Sequence, residues 1–387
     1  MLGTNEEVPV AVIGGGVVGV AIAYALARRG VGALLLEAED ELALGASGTN
    51  SGILHTGFDS TPGQLETALI LRSAALRDAV IDAAGIPVLR CGATLTPRSA
   101  AEARTVAAVA TAARANGVRV SLGADGTLEV PGEAVTDPVA YTRALARAAV
   151  AGGAEIRTGA RVEAIRRSSG GLTLELAPGD AVTCRVAVNC AGLHADDVAR
   201  LAGDESFAIY PRKGEFLVFE PPGGEPLEQI LLPVPTKRTK GVLVFPTVDG
   251  KVVAGPTAVD QDEADDWSVR PQARDEILPK AIAMHPALDG AEPVEAYAGL
   301  RPAGRGVNYL IRPSDPSPGL VNVAAIRSTG LTASLAIAER VCAIVGEIGV
   351  VLGRPQPLEP GTPARGAGPW WRRTAQHRER LAQREAG

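Results

Sequence analysis

The chain opens on an apolar run, Val8 to Ala27, whose period changes part-way along. Val10 to Ile13 is continuous and largely β-branched, which reads as a buried strand. From Val17 small and apolar residues continue as a helix to Arg29, with Gly30 at its C-cap side. Ala33 to Glu37 is a second apolar strand, so the N-terminus is a βαβ unit. Residues 38–63 are rich in Gly, Ser, Thr and Asn and form a loop. A helix follows, with Leu65, Leu69, Leu76 and Val80 on one face. A second runs from about Ser99 to Asn116 and stops at Gly117. Asp137 is an N-cap and Pro138 an N1 residue for a helix to about Ala151. Glu155 to Asn189 alternates polar and apolar residues in short strands separated by Gly-Gly and Pro-Gly turns, ending in the buried run Val186-Ala187-Val188-Asn189. Phe207 to Gly255 is strand-rich with many prolines, the signature of a mostly antiparallel sheet. Leu320 to Ala324 is a last buried strand and Leu331 to Ile348 a last long helix. The sum is an α/β protein.

The length of 387 residues suits two to three domains of ~150 residues each. With 46% apolar and 21% charged residues, the chain can bury a large core, which excludes a largely disordered protein. Five Phe, five Tyr and three Trp are too few for a stacking platform for single-stranded nucleic acid. A net charge of −6 also disfavours any nucleic-acid partner. The acidic flank Asn5-Glu6-Glu7 and the glycines interrupting the first apolar run argue against a signal peptide or a membrane span. Cys91, Cys184, Cys190 and Cys342 have no CxxC spacing and no histidines at ligand intervals. Free thiols in a reducing cytoplasm, and no metal site, are expected. Gly353 to Gly387 carries five prolines, and seven arginines against three glutamates, a local +4 on a remainder of −10. It reads as a linker and a short basic helix around Trp370-Trp371-Arg372-Arg373, frayed in the simplest account. A peripheral membrane contact through this helix is a weaker alternative.

The 45 glycines fall at informative places. Gly14-x-Gly16-x-x-Gly19 follows a strand and opens a helix, the context a dinucleotide fingerprint requires. Its first glycine permits the tight turn, the second a close approach of pyrophosphate, the third tight helix packing. The helix N-terminus supplies free N–H groups and partial positive charge. Glu37, 18 residues after Gly19, is placed to accept hydrogen bonds from ribose hydroxyls and would repel a 2′-phosphate. This selects an adenine dinucleotide without separating FAD from NAD.

The loop Gly45-Ala46-Ser47-Gly48-Thr49-Asn50-Ser51-Gly52-Ile53-Leu54-His55-Thr56-Gly57 separates them. It resembles the loop of the FAD-dependent D-amino-acid-oxidase-like superfamily, with the nearest likeness to glycerol-3-phosphate and L-2-hydroxyglutarate dehydrogenases. Val188-Asn189-Cys190-Ala191-Gly192-Leu193-His194-Ala195-Asp196 is similar to the block closing that family's Rossmann-like core. Ala325-Ile326-Arg327-Ser328-Thr329-Gly330-Leu331-Thr332-Ala333-Ser334 looks like its C-terminal flavin segment. The resemblance implies non-covalent FAD held by Gly14, Gly15, Gly16, Val17, Val18, Gly19, Glu37, Ala38, Ser47, Thr49, Asn50, Ser51, Gly52, Val162, Ala191, Gly192, Gly330, Leu331 and Thr332. It also implies a Rossmann-like FAD-binding domain of discontinuous segments (1–80, 137–205, 296–350). The second, mostly antiparallel β substrate domain would take 81–136 and 206–295, leaving 351–387 as the tail.

The same resemblance places His55 across the flavin ring. A base is needed there for a substrate hydroxyl proton while hydride leaves the carbon, and histidine titrates near working pH. A loop histidine bonded to backbone, or a covalent flavin link, are the alternatives. Arg301, in Ala298-Gly299-Leu300-Arg301-Pro302, resembles the family's substrate-anchoring arginine, a fork for carboxylate or phosphate. Lys213 is a second anion contact; Arg327 serves likewise or holds the flavin loop. With no cysteine beyond Cys342 for an iron–sulfur domain, the electron acceptor is external: oxygen, a quinone or a carrier protein. The expected substrate is a small anionic secondary alcohol, a 2-hydroxy acid or glycerol 3-phosphate. An amine or amino-acid oxidase is the alternative, disfavoured by the scarcity of aromatic walls, and a non-catalytic flavin-binding protein the second.

Overall fold

A computed structural model describes residues 6–177, 179–236, 241–357 and 369–385. Strand β1 (Glu6–Ile13) and helix α1 (Val17–Ala27) precede strand β2 (Ala33–Leu36). β1 is central in the parallel part of a mixed sheet: β2 pairs on one side and strand Ala181–Asn189 on the other, and antiparallel strands extend it further. Strand Glu155–Arg157 extends the sheet beyond β2, and strand Leu320–Ala324 beyond Asn189. Three segments far apart in sequence therefore meet in one sheet, because the central part of each is a mainly apolar run buried on both faces. Helix α1, helix Pro138–Ala151 and helix Gly330–Glu347 cover one face through Val20, Ile22, Leu145, Ile337 and Val341. Asp137 caps its helix as its position predicts, Oδ1 accepting from the Val139 and Ala140 amides.

The second sheet is mostly antiparallel and built around strands Ile209–Phe219 and Glu295–Gly304, paired over ten positions. The domain boundary expected at 296 is thus corrected: it falls inside a strand of the second sheet, which runs on to Gly304 before the chain re-enters the first. One face of this sheet packs Leu217, Phe219 and Ala254 on helix Ala273–Met284. The other packs Phe216 and Tyr297 against Trp370 and Trp371. A small three-stranded sheet of β3 (Ile53–Leu54), Ala134–Thr136 and Val88–Leu89 lies between the two.

The expectation of a frayed basic terminus is also corrected. Residues 370–385 form a helix whose two tryptophans are each 2% exposed. Both indoles point into the protein, which removes the apolar anchor that a membrane-surface reading needs. The expected Pro-rich linker falls on 358–368, outside the described residues. Among the described residues no helix is long and apolar enough to cross a membrane, and no three His, Cys, Asp or Glu are grouped to hold a metal. The four cysteines are free.

Candidate active site

A cavity runs along the C-terminal edge of the parallel sheet. Gly14, at φ +109°, forms its floor: a Cβ there would lie 2.4 Å from the Cys190 carbonyl oxygen, so only glycine fits. A Cβ on Gly19 would lie 2.0 Å from the Gly14 oxygen, which is what lets α1 sit close beneath the turn. Ser47 Oγ accepts from the Val17 amide (2.9 Å), tying the loop to the start of α1. Glu37 is fixed by the Gly15 amide (2.6 Å) and the Glu39 amide (2.9 Å); burial nonetheless pushes its carboxyl above the ordinary range.

Of the residues assigned to a dinucleotide, Gly14, Gly16, Val17, Val18, Glu37, Ala38, Ser47, Asn50, Val162, Ala191, Gly192, Gly330 and Leu331 line this cavity. Gly15, Gly19, Thr49, Ser51, Gly52 and Thr332 stand behind that wall and shape it. Asn50 spans the gap between loops, its Nδ2 donating to the Ser328 carbonyl (3.3 Å) and its Oδ1 accepting from Gly52. Gly52, at φ +79°, lets its carbonyl take the Thr136 amide. Thr332 Oγ1 accepts from the His55 amide (3.0 Å), fixing the loop to the helix Gly330–Glu347. The cradle fits FAD by the chemistry of its lining: Gly16, Val17 and Val18 bring the first amides of α1 to a phosphate, and Glu37 brings a carboxyl to ribose hydroxyls.

His55 is oriented by a residue the sequence reading missed. Its Nδ1 lies 2.9 Å from Glu133 Oε2, and that carboxylate is fully buried. Glu133 Oε1 accepts from the Thr56 amide (2.6 Å) and hydroxyl (2.8 Å). Arg77 braces the same corner by donating to the carbonyls of Leu54, His55 and Gly132. Nδ1 is thereby committed to the carboxylate, and Nε2 has no bond among the described residues. Glu133 is 78 residues from His55; only the pairing of β3 with strand Ala134–Thr136 brings them together.

Arg301 and Arg212 are directly opposite one another in the second sheet. The Arg301 guanidinium lies over Gly214, whose Cβ would come within 2.2 Å of Nη2, and donates weakly to the Thr257 carbonyl (3.4 Å). Burial, and then the like charge of Arg212, push it down to about 10. It remains a cation at neutral pH, with no carboxylate partner among the described residues. Two positions along the same face, Gly299 abuts Thr49 of the loop.

Lys213 is not part of this arrangement, which corrects the sequence reading. Strand alternation turns it to the opposite sheet face, where its buried ammonium donates to Asp266 (2.6 Å). That contact, with the Ser268 hydroxyl, holds the Asp266 carboxyl down at about 2. Arg327 lines the cavity but is exposed and pairs with Glu66 at 3.5 Å. Glu66 also accepts from the Thr329 hydroxyl, so Arg327 braces the segment before Gly330. His194 sits at the cavity rim, paired with Asp197.

A parallel sheet with a glycine fingerprint, a second antiparallel sheet over its edge and a histidine–carboxylate pair beside the cleft define a dinucleotide-dependent oxidoreductase of two-domain type. Residues 9–344 match the family model described as FAD dependent oxidoreductase, and the chain belongs to that family. It is 27% identical to a glycerol 3-phosphate dehydrogenase of Caloramator mitchellensis, covering 91% of this chain and 76% of the relative. It is 28% identical to a glycerol 3-phosphate oxidase of Mycoplasma pneumoniae, covering 86% and 93%. An L-2-hydroxyglutarate dehydrogenase of Escherichia coli strain K12 is 29% identical over 64% of this chain and 63% of the relative. The dithionite-reduced L-alpha-glycerophosphate oxidase from Mycoplasma pneumoniae, solved with FAD bound, superimposes with a TM-score of 0.84 at 25% identity, over 92% and 98% of the two chains. The protein is an FAD-dependent oxidoreductase.

Proposed function

We propose that this chain oxidises a small anionic secondary alcohol, a 2-hydroxy acid or glycerol 3-phosphate, and passes the electrons to an external acceptor. The observation that carries this reading is Arg301: a half-buried guanidinium, beside a second arginine and with no carboxylate partner among the described residues, is stabilised by an incoming anion. The relatives named for glycerol 3-phosphate and L-2-hydroxyglutarate support it, since phosphate and carboxylate are both anions a guanidinium fork accepts.

FAD, when bound, supplies the hydride acceptor for the substrate carbon. The residues supply the rest. Arg301 holds the anionic end and so fixes which carbon faces the cofactor. His55 takes the hydroxyl proton at Nε2, and Glu133 holds the opposite nitrogen and stabilises the imidazolium that forms. Gly330 and Leu331, at the N-terminus of a long helix, line the cavity, and their backbone N–H groups would stabilise negative charge on a cofactor bound there.

The test is anaerobic titration of the FAD-loaded protein, followed by bleaching of the flavin band. Glycerol 3-phosphate, L-2-hydroxyglutarate or a lactate-like acid should bleach it, while neutral glycerol should not. Bleaching by D- or L-amino acids alone would replace this reading with an amine oxidase. No bleaching by any of them would leave a flavin protein without turnover.

A further inference from the structure

The C-terminal helix Trp370–Glu385 lies across one end of the cofactor cavity. It faces Glu37-Ala38-Glu39-Asp40-Glu41, four acids in five residues, of which Glu37 and Glu39 line the cavity that must take a dianionic dinucleotide. Arg373 pairs with Glu41 and Arg378 with Glu39 (3.3 Å). His377, nearly fully buried, lies 2.8 Å from Glu39 and 3.3 Å from Asp40. These three basic residues lie within one and a half turns, on the face turned to the acidic run. Trp370 Nε1 donates to the Asn50 carbonyl (3.1 Å) of the flavin loop. Trp371 stacks on Tyr297 at 6.3 Å, which fixes the helix to the second sheet.

Two residues of this cap line the cavity itself, Arg378 and Trp267, the guanidinium 5.9 Å from the indole centroid. Trp267 comes from the loop before helix Ala273–Met284, whose neighbour Asp266 is held by Lys213. Arg378 Nε and Trp267 Nε1 are both buried N–H donors with no acceptor among the described residues. A buried donor without an acceptor is costly, and both side chains belong to the cavity wall, so a small turn of either would offer its N–H to a bound ligand.

We infer that the C-terminal helix and Trp267 form a separate wall of the cofactor site that retains the adenosine half of FAD, with Arg378 Nε and Trp267 Nε1 donating to its ribose or phosphate oxygens. Without the helix, Glu39 and Asp40 lose Arg378 and His377 and turn more negative charge on an incoming diphosphate, while Glu41 keeps Arg143 (2.7 Å); with it, part of that charge is offset at the cavity end. The Gly14–Gly19 turn holds the dinucleotide from beneath, and this wall closes over it.

The test needs no substrate, so its outcome is independent of the alcohol assignment. The FAD dissociation constant of the reconstituted protein is measured at about 20 and about 500 mM salt, a range over which the Debye length falls several-fold. In the intact chain it should rise with salt by ~10-fold. Arg378→Ala should raise it ~10-fold at low salt and flatten the salt dependence. Trp267→Phe, which keeps the ring and deletes the donor, should raise it severalfold. Arg372→Ala is the control, because Arg372 pairs with Glu295 away from the acidic run and should change nothing. FAD should also slow tryptic cleavage within 372–380, since a ligand held by the helix must reciprocally hold the helix. Unchanged dissociation constants in both cavity variants, or equal cleavage rates with and without FAD, overturn the inference.

Discussion

Replacing His55 by alanine leaves the protein yellow and slows substrate-dependent bleaching by ~10²–10⁴-fold, the usual worth of a positioned general base. The flavin stays because the His55 backbone, not its ring, is what ties the loop to Thr332. Substrate affinity changes little, since the anion is held elsewhere. Glu133→Gln tests the orienting carboxylate separately. It keeps a side chain of the same shape against Thr56 but loses the charge that stabilises an imidazolium and fixes the tautomer. The limiting reduction rate should fall by ~10²-fold or more, with the substrate dissociation constant unchanged. Stopped-flow reduction at varied substrate separates the two quantities. An unchanged limiting rate in His55→Ala sinks the base assignment, whatever Glu133 does.

The second large effect is on binding. Arg301→Ala should raise KM for the anionic alcohol by ~30- to 10³-fold, corresponding to ~2–4 kcal/mol for a partly desolvated charge-assisted contact. The preference for glycerol 3-phosphate over neutral glycerol should collapse with it. Arg301→Lys should recover only part, because an ammonium cannot reproduce the fork. Gly214→Ala provides an independent check: a methyl there takes the space of the guanidinium and should raise KM without removing the charge. Equal KM in wild type and Arg301→Ala would place the anion site elsewhere.

What the sequence made legible was local or single-minded. The Gly14–Gly19 turn, Glu37, the Asp137 cap and the helix at Gly330 each need only neighbours within one element, so spacing was enough. The first sheet was equally readable because strands buried on both faces must be continuous apolar runs. Glu133 was hidden for the opposite reason: it is a charged residue in an exposed-looking turn, and its meaning comes from two short strands whose pairing brings it to His55, 78 residues away. Lys213 was misplaced although the signal was present. In Arg212-Lys213-Gly214-Glu215 the period of two puts Arg212 and the small Gly214 on the Arg301 face and turns Lys213 and Glu215 away. The C-terminal helix was obscured by its composition. Its basic and Pro-flanked character suggested a solvated tail, while Trp370, Trp371, Thr374 and His377 already recurred at helical spacing as a buried stripe.

The order in which the cofactor site is assembled has its own consequence. Its floor is made from residues 14–19, its middle from 190–192, its flavin end from 330–332 and its cap from 370–378. A ribosome delivering this chain from the N-terminus exposes the glycine turn more than three hundred residues before the helix that closes over it. The nascent protein therefore cannot hold its dinucleotide in the finished manner until the helix Trp370–Glu385 has been made. Flavin loading therefore waits on residues 370–378, and a polypeptide interrupted between residues 338 and 370 would emerge with a half-built pocket.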